Sequence, residues 1–465
     1  MRRTSIRMSG FLGLLMACTF CLSVPAPAGA EMAKPNGSPV KKEEGPGRFL
    51  GLREAIDIAL KKHPSLMSAD ANLKAAEART EQTKSLYYPQ VYANFDTLAG
   101  SGGINPRFVA PAGALMRQNL SQYAGGVIAN QRLYDFGATK NLVDSSKLAA
   151  RAQVQDVTAQ RMLVVATVQR AYLVSLKQRR LVQIAEDTVR ERGVIRSQVE
   201  VLYRQQLKSK LDLNLVQVEL TNAEALLVKA RNDLKASFAE LNRAMGVSGP
   251  EDYVLEDISI TVRQPRPLES LIVDSQSHPE LMRTKELAKS AEAKVKATKK
   301  QYLPTVSAVA SAGDYETFDT SRNVQTGGWW TAGALMSMPI FTGFLIENQI
   351  REASAQQAAA ESSSLSLEQA LSQQVTNAYL ETVTLAQQIK LAEEQVRTAQ
   401  EALQLARQRY KLGLGSIVEV TQSEVVLTTA QTRLAESQYD YKIAEVTLAY
   451  LVGRAMDSYG EQPAG

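Results

Sequence analysis

This chain contains one structural unit twice. A 21-residue stretch, 408–428, runs from Tyr410 through Gly413 and Gly415 to Val420, and its pattern also occurs 207 residues earlier, around Tyr203 and Leu213. Before the two glycines an apolar series runs Ile389, Ala392, Val396, Ala399, Leu403, Ala406, Tyr410. After them it resumes as Val420, Ser423, Leu427, Ala430, Leu434, Ser437, Tyr441, in steps of three and four throughout. Such spacing is the seam of a coiled coil, and a glycine break between two seams is a tight αα-hairpin. The earlier copy keeps the register through Leu213, Val216, Leu220, Ala223 and Leu227, and both copies end on a glycine, Gly246 and Gly453.

The duplication extends upstream. His63-Pro64 and Pro89 match His278-Pro279 and Pro304 at an offset of 215. The difference of eight residues falls in a strand-to-strand loop, where insertions are tolerated. Between the prolines and the long apolar series the period changes to two. Strands of roughly ten residues are predicted at about 89–97, 123–134, 305–313 and 329–341. No proline lies between Pro111 and Pro250, or between Pro339 and Pro463. Each copy therefore reads as a short helix of about 35 residues, two strands, a helix of about 65 and a closing helix of about 38, or roughly 52, 98 and 57 Å. The predicted fold is mostly α with a small β part, a duplicated helix-strand-strand-helix-helix unit whose helices form a long coiled-coil tunnel wall. The repeats span 50–246 and 268–456, with a linker at 247–267 and a tail at 457–465.

The first thirty residues have the layout of a secretory signal: Arg2, Arg3 and Arg7, an apolar centre from Phe11 to Val24, and Ala28-Gly29-Ala30 as a cleavage site. Both cysteines, Cys18 and Cys21, lie inside it, so a chain cut after Ala30 has no disulfide and no thiolate metal site. A second reading stays open, because Leu15-Met16-Ala17-Cys18 loosely resembles a lipoprotein cleavage box that would lipidate Cys18. Residues 31–49 read as a flexible leader rich in Pro, Gly and charge. The net charge of +5 is spread along helical faces, which argues against nucleic acid as a partner. Nucleotide loops, catalytic triads and zinc spacings are absent from the sequence, so neither an enzyme nor a cofactor or metal is expected.

No segment after the signal approaches 18 consecutive apolar residues, but alternating strands of this length suit a tilted membrane barrel. Four strands cannot close one, and an open sheet edge cannot sit in lipid. Three chains would supply twelve. Tyr87, Tyr88, Trp329, Trp330 and Phe341 fall near strand ends, where an interfacial aromatic girdle would stand; ordinary strand aromatics are the plainer explanation.

With these features the chain resembles the TolC family of outer-membrane efflux proteins over about 50–456. The likeness rests on the duplicated unit, the Tyr-Pro before the first strand, and the turns Leu133-Tyr134-Asp135-Phe136-Gly137 and Pro339-Ile340-Phe341-Thr342-Gly343. It rests also on the hairpin tips, although the first carries Gln206 where the family has glycine. The resemblance implies a homotrimer with a twelve-stranded outer-membrane barrel and a helical tunnel through the periplasm. It further implies tips that dock a periplasmic adaptor tied to an inner-membrane pump, in a tripartite efflux or type I secretion system whose cargo, drug, metal or protein, stays open. It places a ring of acids after the second tip: Glu419 occupies the first such position, while the second is Gln422, which weakens the ring.

The tip residues also have a structural explanation. Ser209 with Asp212, and Ser416 with Glu419, have the spacing of capping boxes at restarting helices. Gly413 and Gly415 read as turn glycines with positive φ. Tyr203 and Tyr410 read as the last packed layer of each hairpin. Read functionally, Glu419, Gln422 and Asp212 are the periplasmic gate. Tyr203, Ser209, Tyr410, Gly413, Gly415 and Ser416 are the adaptor-docking tips. The alternative to a duct is a periplasmic coiled-coil adaptor or scaffold without a barrel.

Overall fold

In the computed structural model, residues 48–101, 119–249, 252–319 and 324–455 are described. The signal segment with Cys18, the leader up to residue 47 and the tail at 457–465 lie outside them. The first repeat holds α1 (Leu52–Lys62), α2 (Pro64–Lys84), β2 (Gln90–Ser101), β3 (Asn119–Tyr134), α3 (Ala138–Arg204) and α4 (Lys210–Met245). The second holds α5 (Leu268–Ser275), α6 (Pro279–Lys299), β5 (Thr305–Asp319), β6 (Val324–Ser337), α7 (Leu345–Lys411) and α8 (Ile417–Leu451). A two-stranded parallel ribbon joins the repeats, β1 (Arg48–Leu50) on β4 (Tyr253–Leu255).

The short helix of each repeat is two helices, because proline ends one and begins the next. Pro64 and Pro279 take the first helical position, and the preceding histidine caps it: the Ser65 amide donates to His63 Nδ1 at 3.2 Å, and the Glu280 amide to His278 Nδ1 at 3.3 Å. The closing helix of the same repeat ends against this joint. Gly246, at φ +69°, approaches so closely that a Cβ there would stand 2.8 Å from His63 Cα. Gly453 takes φ +81° at the corresponding end of α8.

Both long helices are 67 residues, about 100 Å. The largest core lies where α1, α3, α4 and the ribbon meet, around Ile56, Val165, Val168, Leu176, Leu241 and Met245. The Tyr172 hydroxyl donates toward Leu50 O and Glu256 O, at 3.0 and 2.9 Å, and so ties the ribbon to α3. Arg48 and Phe49, expected in the leader, belong to that ribbon; parallel pairing with Tyr253 and Val254 gives their backbone the partners a leader lacks.

The four longer strands form one antiparallel sheet in the order β2-β3-β5-β6. They run 12, 16, 15 and 14 residues, longer toward the connecting loops than the sequence pattern suggested, since glycine and polar residues keep pairing after the alternation fades. β6 is the exception at its other end. It stops at Ser337, not at residue 341, because Pro339 has no amide to donate to the ladder. Phe341 lies in the turn that follows, edge-on to Phe344.

Candidate functional site

The two tips share one backbone. In the second, Gly413 has φ +74°; in the first, Gln206 takes the same left-handed conformation at φ +62°. The turn geometry is thus conserved within the chain although the residue is not, and Gln206 bears the steric cost glycine avoids. Gly415 is different from expectation, because its φ is not positive. A side chain there would crowd Glu419 Oε2 at 3.1 Å and Arg409 Cβ at 3.2 Å, so close approach explains the glycine.

Ser209 and Asp212 form the complete capping box, with reciprocal bonds of 3.1 and 3.2 Å. Ser416 and Glu419 form only half of one. The Glu419 amide donates to Ser416 Oγ at 3.3 Å, but the carboxylate stands 3.5 Å from Arg409 Nε instead of returning to the cap. Arg409 outcompetes a neutral amide through charge, and it also donates to Leu414 O at 3.1 Å, holding the turn. Glu419 and Gln422 are both exposed on α8.

The tyrosines are unequal. Tyr203 is exposed and closes no layer, the last one being filled by Ile417, Val420 and the half-buried Tyr410. Lys208 of the first tip places its Nζ 4.3 Å over the Tyr410 ring. The Tyr410 hydroxyl is buried without a hydrogen-bond partner among the described residues, and burial, then the charge of Asp212, pushes its pKa up. The two tips of one chain therefore touch through Lys208 and Tyr410, with the charge of Asp212 nearby.

Behind the tips lies a charged cluster that sequence reasoning missed. Arg407 on α7 donates to Glu191 on α3 at 2.8 Å and to Glu424 on α8 at 2.9 Å. Arg192 on α3 donates to the Glu219 backbone of α4 at 2.7 Å and lies 3.0 Å from its carboxylate. Glu424 is 5% exposed, and burial pushes its carboxyl above the ordinary range even with Arg407 beside it. Burial opposes the charge on Arg407 too, but its hydrogen bonds to Glu424 and Glu191 outweigh that and raise its pKa. A cavity of about 70 Å³ adjoins Arg192 and Glu424, room for a water or two. Heptad reading scores such positions by apolarity and passes over a charge inside the seam; Glu424, one step from Ser423 in the expected series, was the available signal.

At the other end, strand register sorts the sheet into two faces. One carries Val91, Ala93, Phe95, Val127, Ala129, Ala310, Ala312, Trp330, Ala332, Ala334 and Met336. The opposite face is mixed, carrying Gln90, Asn94, Asn130, Arg132, Ser307, Ser311 and Thr331, with a Ser311–Thr331 hydroxyl contact of 2.6 Å, beside Tyr92, Ile128, Val309 and Leu335. Adjacent residues of a strand point oppositely, so Trp329 and Trp330 cannot share one girdle. Trp330 is on the apolar face, 78% exposed, whereas Trp329 belongs to the mixed face. Tyr87 and Tyr88 are exposed where the helix end leads into β2. Among the described residues no helix is long and apolar enough to cross a membrane.

Residues 55–247 and 275–454 match the family described as outer membrane efflux protein. The chain belongs to that family. Among curated relatives, the outer membrane efflux protein BepC of Brucella suis biovar 1 (strain 1330) is 23% identical over 418 residues, covering 89% of this chain and 88% of its own length. The outer membrane protein TolC of Escherichia coli (strain K12) is 22% identical over 431 residues, covering 86% and 82%. A solved structure, the outer membrane protein VceC of Vibrio cholerae, superposes with a TM-score of 0.73 at 18% identity, covering 86% of this chain and 96% of that one. The duplicated unit is thus the fold of outer membrane efflux proteins, a family of efflux proteins rather than enzymes, and its place is the outer membrane.

Proposed function

We propose that three copies of this chain form a passive export duct, crossing the outer membrane as a twelve-stranded barrel and the periplasm as a helical tunnel. The observation that carries this reading is the sheet. Its outer strands, β2 and β6, each have one edge unpaired within the sheet, and one of its faces is almost wholly apolar. In lipid an unpaired edge costs several kcal/mol per group, about, so the edges must meet those of neighbouring copies. The apolar face extends about 20 Å along the strands from Met336 to Trp330, which in a barrel with strands tilted by about 40° covers about 15 Å of the roughly 25 Å apolar band, and exposed Asp314 and Glu316 follow beyond it. A scaffold without a barrel would leave this face in water.

The tips then lie at the periplasmic end, about 100 Å away along α3 and α7. Exposed Leu207, Leu211, Leu412, Leu414 and Val418 offer a periplasmic adaptor an apolar surface there, and an inner-membrane pump supplies the energy. Gating is an outward shift of the α7–α8 hairpin, which must break the Lys208–Tyr410 and Arg407–Glu191 contacts that hold it to the first hairpin. Glu419 lines the mouth, with its charge partly countered by Arg409 and no second acid at Gln422.

Purified protein tests this directly. A heat-modifiable trimer that forms stable pores in a planar bilayer is expected; recovery as a soluble monomer without conductance would sink the reading.

A further inference from the structure

The more polar face of the sheet carries two aromatic side chains that reach across neighbouring strands. Trp329 of β6 pairs with Gly313 of β5, which pairs with Gly126 of β3, so the three occupy one row across the sheet. A Cβ on Gly313 or on Gly126 would stand 3.0 or 3.1 Å from the Trp329 ring. The indole therefore reaches from its own strand across β5 to β3, over a floor that only glycines leave flat. One row away, Tyr315 of β5 leans the opposite way onto Gly327 of β6, where a Cβ would stand 3.0 Å from its ring. Both residues are half-buried.

Aromatic cover of strand glycines restores packing that glycine forfeits, and that alone accounts for the contact of each ring with them. It does not account for which face of the sheet they take. A lipid-facing aromatic would sit as Trp330 does, on the apolar face, but Trp329 and Tyr315 share their face with Ser311 and Thr331. If three copies close as a barrel, that face is the lumen. Each copy then presents two adjacent aromatic rings on the wall to whatever passes.

We infer that Trp329 and Tyr315 form a stacking platform on the luminal wall for planar aromatic cations. The inference rests on the duct reading for its location. An aromatic ring on the wall attracts flat aromatic systems by stacking and positive charge by its quadrupole. Among the described residues, the cationic side chain on the same face is Arg132, in the row of Ser307 and three rows from Trp329, so no like charge repels a cation at the platform. Such a platform slows or concentrates flat cargo in the barrel without narrowing the lumen.

The probe is ethidium, added to detergent-solubilised full-length protein and followed by fluorescence anisotropy, so binding is read whether or not the protein conducts. Trp329→Ala and Tyr315→Ala are each expected to weaken binding about fivefold or more, the scale of one stacked or cation–π contact. Trp329→Tyr is expected to keep most of it, and Trp330→Ala to leave it unchanged. Binding by Trp329→Ala equal to the unaltered protein overturns the proposal. So does an equal loss in Trp330→Ala, which would mean partition into detergent at the apolar face. Planar-bilayer conductance separates the two readings. Normal pores with ethidium binding unaffected by Trp329→Ala remove the platform alone, whereas absent pores with a Trp329-dependent site remove the duct and leave the site.

Discussion

Arg407 on α7 stands 2.9 Å from Glu424 on α8, and the same guanidinium holds Glu191 on α3 at 2.8 Å. One side chain therefore joins both arms of the second hairpin to the long helix of the first, within a layer that the heptad pattern would otherwise fill with apolar atoms.

Removing Arg407 leaves Glu424 buried without its cation. Stranding one partner of a fully buried pair costs about 3–5 kcal/mol. Arg407 is 38% exposed, so solvent screens part of that, and a loss of roughly 2 kcal/mol is expected for Arg407→Ala. Glu424→Gln, which keeps an acceptor and removes the charge, should cost less. Thermal unfolding of the two single variants and the double variant checks this. A double variant as unstable as the sum of the singles would show that the residues act separately.

The tip charges make an electrical prediction. Glu419 is paired with Arg409 at 3.5 Å, both are exposed, and such pairs contribute about 0.2–1 kcal/mol. Arg409→Ala should free the carboxylate and raise the preference of the pore for cations, by about twofold to fivefold. Glu419→Gln should lower it, and the double variant should behave as Glu419→Gln does. Reversal potentials across a salt gradient measure all three. No change in Arg409→Ala would place Glu419 away from the conduction path.

How much of this was legible in the sequence depended on whether a signal was local. Periodicity showed the long helices because Leu403, Ala406 and their partners repeat every third or fourth residue, and the repeat revealed both tips at once. Strand existence was visible from alternation. The end of β6 was misjudged because Pro339 was weighed as a landmark rather than as a missing donor. The half-formed box at Ser416 could not be seen, since its outcome turned on Arg409, ten residues from Glu419 in sequence. The Arg407 cluster gathers residues from four helices, and no window along the chain contains them. Trp329 and Trp330 were separable by period two alone, and treating them as one girdle ignored it.

Gln206 has φ +62° at the position where the second tip has Gly413. For a residue with a side chain the left-handed region costs roughly 1 kcal/mol. Gln206→Gly relieves that at the expense of unfolded-state entropy, so a net gain of about 0.5 kcal/mol is expected. Gly413→Ala introduces the same strain and should lose about 1 kcal/mol. Differential melting of the two variants checks the pair; equal and opposite signs to these would show that the tips differ in backbone.

His278 is 1% exposed, caps α6 through Nδ1, and lies edge-on to Tyr450 with ring centroids 5.4 Å apart. Burial is the main reason its pKa falls below the ordinary 6.5; the nearby Glu280 charge and a Tyr450 backbone contact pull the other way without reversing it. A folded-state pKa below the unfolded one means that the unfolded chain binds more protons as pH drops through about 6.5, so acid favours unfolding. The stability from neutral His278 is present above that pH and is lost progressively below it. His63, exposed more and lowered for the same first reason with Arg243 adding to it, should contribute in the same direction. Melting temperatures taken from pH about 7.5 to about 5 should therefore fall, and His278→Asn, which keeps a capping acceptor but cannot titrate, should flatten that slope. An unchanged slope in His278→Asn would assign the acid sensitivity to other groups. A steeper one would mean that the imidazole is charged in the fold.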